Sequence, residues 1–195
     1  ANNTAKAEAC GAIGTVANLC KIKNVTNNGD VLYNGTTNEG GMYLCGVVGK
    51  ANSTATITPL AEFSNITNNG NISTHKDSKV TADLLFAGVA GDIVMENATV
   101  VCDKLVNNGN ITHNGYSNAT RLAGVAAYTC TGSFTNCKNT GDLTIATGAR
   151  HTAGYMGGLF GNTVYTKTFT GNINEGAITI QDAATENLTF KHGYI

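Results

Sequence analysis

"TNNGDV" at residues 26–31 returns as "TNNGNI" at 67–72 and "VNNGNI" at 106–111, and in looser form as "KNTGDL" at 138–143 and "NEGAI" at 174–178. A chain that writes one turn again and again is built from copies of one structural unit. A second element precedes each turn: "CGAIG" at 10–14, "CGVVG" at 45–49, "AGVAG" at 87–91, "AGVAA" at 123–127 and "GGLFG" at 157–161. The two alternate without exception. Cutting at the first glycine of each G-x-x-G or G-x-x-A group gives repeats 11–45, 46–87, 88–123, 124–157 and 158–195, each 34–42 residues long, after an N-terminal strand at 1–10.

Alignment on the turn glycines Gly29, Gly70, Gly109, Gly141 and Gly176 brings apolar residues into columns. Val25, Ile66, Leu105, Cys137 and Ile173 precede the turn, and Val31, Ile72, Ile111, Leu143 and Ile178 follow it. Ile22, Phe63, Cys102, Phe134 and Phe169 form a third column. Between them apolar and polar residues alternate with period two, the pattern of strands with one buried face. A unit of roughly 35 residues cannot bury that face alone, whereas stacked units share one continuous core. The expected fold is all-β: a single β-solenoid domain over 1–195, of about five coils. A β-sandwich also gives alternation and glycine turns, but it does not need two motifs in fixed order. In the solenoid, glycine suits corners at φ values that a Cβ resists, and Asn in "NNG" tolerates the left-handed region and can form side-chain ladders between coils.

The paired signature, G-[VLI]-x-G followed by N-[CVI]-x-N-x-G-[DN]-[VIL], resembles the GLUG-type repeats of bacterial surface adhesins and secreted peptidase stalks. "GGLFG" at 157–161 and "NCKNTGDL" at 136–143 carry it best; the second repeat holds an insertion with Pro59, and the fifth lacks one residue before its turn. The resemblance spans about Cys10 to Ile180 and implies an extracellular, repetitive, non-catalytic module with no specific ligand.

Composition agrees with little helix and a neutral polar surface: 25 Asn, 28 Thr and 13% charged residues, against about 25% charged in ordinary soluble domains. A net charge of -1 without a basic run argues against nucleic acid and anionic membranes as partners. No apolar run reaches the ~18 residues of a membrane helix, so the chain reads as a soluble secreted product whose signal peptide has been removed.

No catalytic signature is present. His75, His113, His151 and His192 are scattered at no ligand spacing and read as surface histidines, so neither metal nor cofactor is expected. Asp30 and Asp142 occupy equivalent positions three coil steps apart, on the order of 14 Å at ~4.8 Å per step. Inverting glycosidases hold their carboxyl pair about 6.5–9.5 Å apart, so a polysaccharide-degrading enzyme is the least favoured reading. The Thr-x-Thr-like triplets do not suggest a hydroxyl array in one column.

Asn-x-Ser/Thr occurs at Asn2, Asn24, Asn34, Asn52, Asn65, Asn71, Asn97, Asn110, Asn118 and Asn187, where composition alone gives about four such triplets, and each is an acceptor for an N-linked glycan on a secreted protein. Six cysteines suit an oxidising compartment. Cys10 and Cys45 fall in successive coils, with Cα atoms expected ~4.8 Å apart, inside the disulfide range of about 4.4–6.8 Å. Cys102 and Cys137 are a bridge or inert core residues; Cys20 and Cys130 have no evident mate.

Both termini alternate like strands, "TAKAEAC" at 4–10 and "NLTFKHGYI" at 187–195. Strand edges at the two ends of a stack invite head-to-tail contact between copies, which builds a filament when it does not close. The function expected is therefore a non-enzymatic subunit of an extracellular, N-glycosylated fibre or surface layer, with copies of itself as partners. The alternative is a surface adhesin or glycan-binding module that uses the stretches 33–44, 73–84 and 113–121, with Tyr33, Tyr43 and Tyr116 stacking on sugars.

Overall fold

The structure, a computed structural model, describes residues 6–17, 20–53, 60–95, 99–129, 132–164, 167–181 and 190–192. These residues form strands and turns with no helix, and all strand pairs are parallel. The chain winds through four sheets in turn, as a β-solenoid. The first sheet stacks Ala7–Cys10, Met42–Cys45, Lys79–Ala87, Tyr116–Ala123, Arg150–Gly157 and Phe190–His192. The second stacks Ile13–Ala17, Val48–Ser53, Ala90–Met95, Ala126–Thr129 and Phe160–Thr163. The third begins with Lys21–Asn27, Leu60–Asn68 and Thr99–Asn107, and its last two rungs are each split, Gly132–Thr135 with Lys138–Asn139 and Lys167–Thr170 with Ile173–Asn174. The fourth holds the short strands Val31–Tyr33, Ile72–Thr74, Ile111–His113, Leu143–Ile145 and Ile178–Ile180.

Two of the expected columns are in register along their whole length: Val31 through Ile178, and Ile22 through Phe169. The core has two main parts. One lies where Val48, Ala51 and Ile93 of the second sheet meet Phe63, Leu105 and Phe134 of the third; the other joins Leu44, Phe86 and Leu122 of the first to Ile72, Ile111 and Leu143 of the fourth. Each fully buried Phe, Leu or Ile contributes on the order of 1.5–3 kcal/mol, so a column gains with every rung added. Phe134 also stacks on Phe169 at 5.6 Å and meets Phe160 edge-on at 5.1 Å.

The column that begins at Val25 differs from expectation at its last member. Ile173 pairs with Lys138, one residue out of step, and is 51% exposed. This corrects the expectation of a missing residue in the fifth repeat: Phe169 faces Phe134 and Ile173 faces Lys138 at the same spacing, so the place of Cys137 falls to Asn172, whose Oδ1 accepts the Cys137 N–H at 2.8 Å, and Ile173 lies on the outer side of its strand.

The corners also work differently from the expectation. Gly41 and Gly148, at φ 84° and 83°, are corner glycines of the expected kind, each shortly before a strand of the first sheet, but the repeating left-handed residues are Asn24, Asn65, Lys104 and Asn136, with φ of 52–57°, and Gly171 at 64°. They lie inside the third sheet, several residues before the "NNG" turn, and bend each rung at the same place. The turn glycines have another reason to be glycine. A Cβ on Gly70, Gly109, Gly141 or Gly176 would stand 1.9 Å from the carbonyl oxygen of the preceding turn glycine in the series. Close rung-to-rung approach, not φ, demands them.

Candidate functional site

The two repeated motifs meet in space. The first glycine of each G-x-x-G group packs on the asparagine two residues before the turn glycine: a Cβ on Gly46, Gly88 or Gly124 would lie 2.3–2.4 Å from the Cγ of Asn68, Asn107 or Asn139. It would also lie 2.1 Å from the carbonyl of the next such glycine. A buried line of asparagines therefore runs through the stack beneath a line of bare backbone.

That line is a hydrogen-bonded ladder. Asn27 donates its Nδ2 to Asn68 Oδ1, Asn68 to Asn107, Asn107 to Asn139 and Asn139 to Asn174, each at 2.8 Å. The second amide hydrogen of each goes to the turn glycine carbonyl, as from Asn68 to Gly70 at 2.7 Å and from Asn107 to Gly109 at 2.8 Å. Asn68, Asn107 and Asn139 are fully buried, so these bonds remove groups that burial would otherwise penalise.

An exposed ladder beside it runs the other way. Asn69 donates to Asn28 at 2.7 Å, Asn108 to Asn69 at 2.8 Å, and the Thr140 hydroxyl to Asn108 at 2.9 Å. In a third series a side-chain oxygen accepts the backbone N–H of the next rung: Asp30 from Asn71, Asn71 from Asn110, Asn110 from Asp142 and Asp142 from Ala177, at 2.7–3.0 Å. Asp30 and Asp142 thus serve as rung-to-rung acceptors, which is why the motif admits either Asp or Asn there.

The end rungs differ from the inner ones. In the last rung Phe169, Ile178 and Ile180 are 41–48% exposed, whereas their column mates Phe134, Leu143 and Ile145 are fully buried. Asn174 keeps its bond to the Gly176 carbonyl and has no described acceptor beyond it. In the first rung the Oδ1 of Asn27 receives, among the described residues, only the Gly29 N–H, at 3.2 Å.

Outside the ladders, His113 is buried, a correction to its reading as a surface residue. Thr74 Oγ1 lies 3.1 Å from its Nδ1 and Ser117 Oγ lies 3.1 Å from its Nε2, and Ser117 also bonds Thr120. Its ring meets Phe86 edge-on. His75 is part-exposed near Asp77, and the side chains of His151 and His192 lie outside the described residues. Among the described residues no group of His, Cys, Asp or Glu has a metal-holding arrangement.

The Met42–Cys45 strand of the first sheet is buried on both faces. The sheet's outer side chains Tyr43 and Leu85 pack with Ala127 and Tyr128 in the angle between the first and second sheets. Tyr43 therefore presents no ring face to a sugar. Its hydroxyl donates to Asp92 at 3.4 Å, with Lys6 over the ring and Arg121 over Tyr128 nearby. Burial pushes the Asp92 carboxyl up to about 6, against the pull of Lys50, Lys6, the Tyr43 hydroxyl and Arg121. Asp92 Oδ1 and Arg121 Nε have no described hydrogen-bond partner.

A raised folded-state pKa means that the native state binds more protons than the unfolded one between about pH 4 and 6. Asp92 therefore adds stability at low pH that is lost as pH rises through that window. Asp92→Asn is expected to flatten the dependence and to stabilise the protein at pH 7–8 by about 2 kcal/mol. Thermal melts from pH 4 to 8 check this; a variant that melts below the parent at pH 8 contradicts it.

The described cysteines Cys10, Cys20, Cys45, Cys102 and Cys137 are free thiols, which corrects the expected Cys10–Cys45 bridge and leaves Cys102 and Cys137 as buried core residues, one of their two expected roles; Cys130 lies outside the described residues. Cys10 and Cys45 do stand opposite each other in register. However, an in-register parallel pair carries its Cβ atoms about one strand spacing apart, ~4.8 Å, beyond the ~3.8 Å typical of a disulfide. Cys102 pairs with Phe134 instead of Cys137. Burial raises the Cys45 and Cys102 thiols well above their ordinary value and Cys137 to about 11, so these three are poor nucleophiles at neutral pH.

Of the glycan acceptors, Asn24, Asn34, Asn65, Asn71, Asn110 and Asn118 are exposed and Asn52 is half-buried, while Asn2, Asn97 and Asn187 lie outside the described residues. Asn65 donates its Nδ2 to Asn24 Oδ1 at 3.2 Å. The structure corrects the reading that the Ser/Thr triplets form no common column: Ser73, Thr112, Thr144 and Thr179 share one on the outer face of the fourth sheet. Each stands three residues after its turn glycine, so the alignment already contained the signal.

No protein-family model, curated protein or solved structure matches the chain.

Proposed function

We propose that this protein is a non-enzymatic structural subunit of an extracellular, N-glycosylated fibre or surface layer that assembles end to end. The supporting observation is the last rung: columns that are fully buried inside the stack end there in Phe169, Ile178 and Ile180, each nearly half exposed. Exposed apolar groups aligned over a core are stabilised by a further rung. The motif pair that builds the ladder agrees with kinship to the GLUG-type repeats of surface adhesins and secreted stalks, which supports the cell exterior as its place. The exposed asparagines on the flanks leave glycans clear of the two ends. Electron microscopy of the concentrated, purified chain is expected to show unbranched filaments one solenoid wide. Particles of single-chain size at every concentration would sink this reading.

A second reading, a surface adhesin or glycan-binding module, is favoured by the outer row of Ser73, Thr112, Thr144 and Thr179, hydroxyls spaced by one rung on one sheet. Retention of the monomer on an insoluble polysaccharide, lost in Thr112→Val with Thr144→Val, supports it.

A further inference from the structure

Gly29 is the exception among the turn glycines. A Cβ there would meet nothing closer than Asn27 Oδ1 at 3.8 Å, whereas each of the other four would collide with a carbonyl at 1.9 Å. Its φ is not in the left-handed region either. Neither close approach nor backbone conformation within the described residues requires glycine at this position. A rung placed before the first would supply the reason, because its turn carbonyl would lie where that Cβ would be.

The hydrogen-bonding groups at the two ends are complementary in one orientation. The inner ladder donates towards the last rung and ends in the Asn174 amide; it begins at the Asn27 oxygen. The outer ladder donates towards the first rung, so the Asn28 amide has no described acceptor, and at the other end of that column stands the Glu175 carboxylate, bound to Lys138. First rung against last rung matches donor with acceptor in both ladders. First against first sets acceptor against acceptor in the buried one, and last against last sets donor against donor.

Resting on the end-to-end reading, we propose that the partner is a second copy of this chain, docked head to tail and in register, with its first rung on the last rung of its neighbour. In that joint the Asn174 amide donates to Asn27 Oδ1 of the next copy and the Asn28 amide of that copy donates to Glu175. Phe169 covers Ile22, Ile178 covers Val31 and Ile180 covers Tyr33, each continuing its own column. The Gly176 carbonyl takes the open space at Gly29. On the first sheet the place is contested. Phe190–His192 lies on Arg150–Gly157, where the incoming Ala7–Cys10 must lie if the other three sheets are to stack. Among the described residues the Phe190–His192 strand pairs through three residues and Ala7–Cys10 through four, and docking exchanges the one strand for the other.

The test uses the full chain, with melting temperature and sedimentation velocity measured on each variant. Gly29→Ala is expected to melt with the parent yet to associate at least tenfold more weakly. Asn28→Asp keeps the oxygen that Asn69 needs, brings a second carboxylate towards Glu175, and also weakens association; adding Glu175→Lys is expected to restore it. Lys191→Pro, which disturbs the competing strand, is expected to associate more readily than the parent. Association of Gly29→Ala equal to the parent's, or no rescue by Glu175→Lys, overturns the head-to-tail joint while leaving assembly itself standing. Lys191→Pro that associates no better than the parent overturns the strand exchange. A parent that stays monomeric overturns the end-to-end reading on which the joint rests.

Discussion

Replacing Asn107 by Asp is expected to lower stability at neutral pH by roughly 4 kcal/mol, the scale on which an uncompensated buried charge destabilises a fold. The substitution is nearly isosteric, so packing is unchanged. It removes the amide that donates to Asn139 Oδ1 and to the Gly109 carbonyl, both at 2.8 Å, and points a second oxygen at two acceptors. The bond received from Asn68 survives. Because the site is fully buried, the new carboxyl takes up a proton more readily than in water, and protonation returns one donor. The deficit should shrink as pH falls towards 4. Urea denaturation at pH 7 and pH 4 measures both effects, and a loss that is small at pH 7 or no smaller at pH 4 contradicts the ladder's role. Because the rung is central, its loss also uncouples the rungs on either side.

Gly109→Ala is the second large effect, and it arises from steric contact. The added methyl would lie 1.9 Å from the Gly70 carbonyl oxygen and 2.5 Å from its carbon. Backbone cannot turn aside as a flexible side chain can, so two rungs must separate. The expected cost is about 3 kcal/mol, near the upper range for overpacking. For a chain of this length that lowers the melting temperature by roughly 6–12 °C. The same methyl at Gly29 should cost almost nothing, and the pair of melts decides whether approach between rungs or backbone conformation explains the motif. Equal losses at both positions would favour conformation.

The place of each residue along the stack was largely legible in the sequence. Repeats of similar length, each with the same turn, put equivalent residues one strand spacing apart, and the Val31 and Ile22 columns follow directly. Ile173 shows the limit of this reading. Apolar character suggested its column, but the fifth rung keeps the spacing of the fourth, so that column receives Asn172 and Ile173 turns outwards. The end-rung chemistry was legible only in part: alternation marked the termini as strands, while the direction in which each amide donates depends on side-chain orientation.

The sequence by itself determined the all-β class, the rung-by-rung stacking and most of the in-register columns, because repetition along the chain becomes translation along the axis. Only the tertiary structure decided how the sheets close on one another. It buried Tyr43 and His113, placed the left-handed bend at Asn24 and its equivalents, kept Cys10 and Cys45 as neighbouring free thiols, and brought the G-x-x-G glycines onto the asparagine ladder. The physical reason is that repetition specifies what lies above and below a residue. What lies across from it depends on the angles between sheets, which come from contacts between residues far apart within each coil.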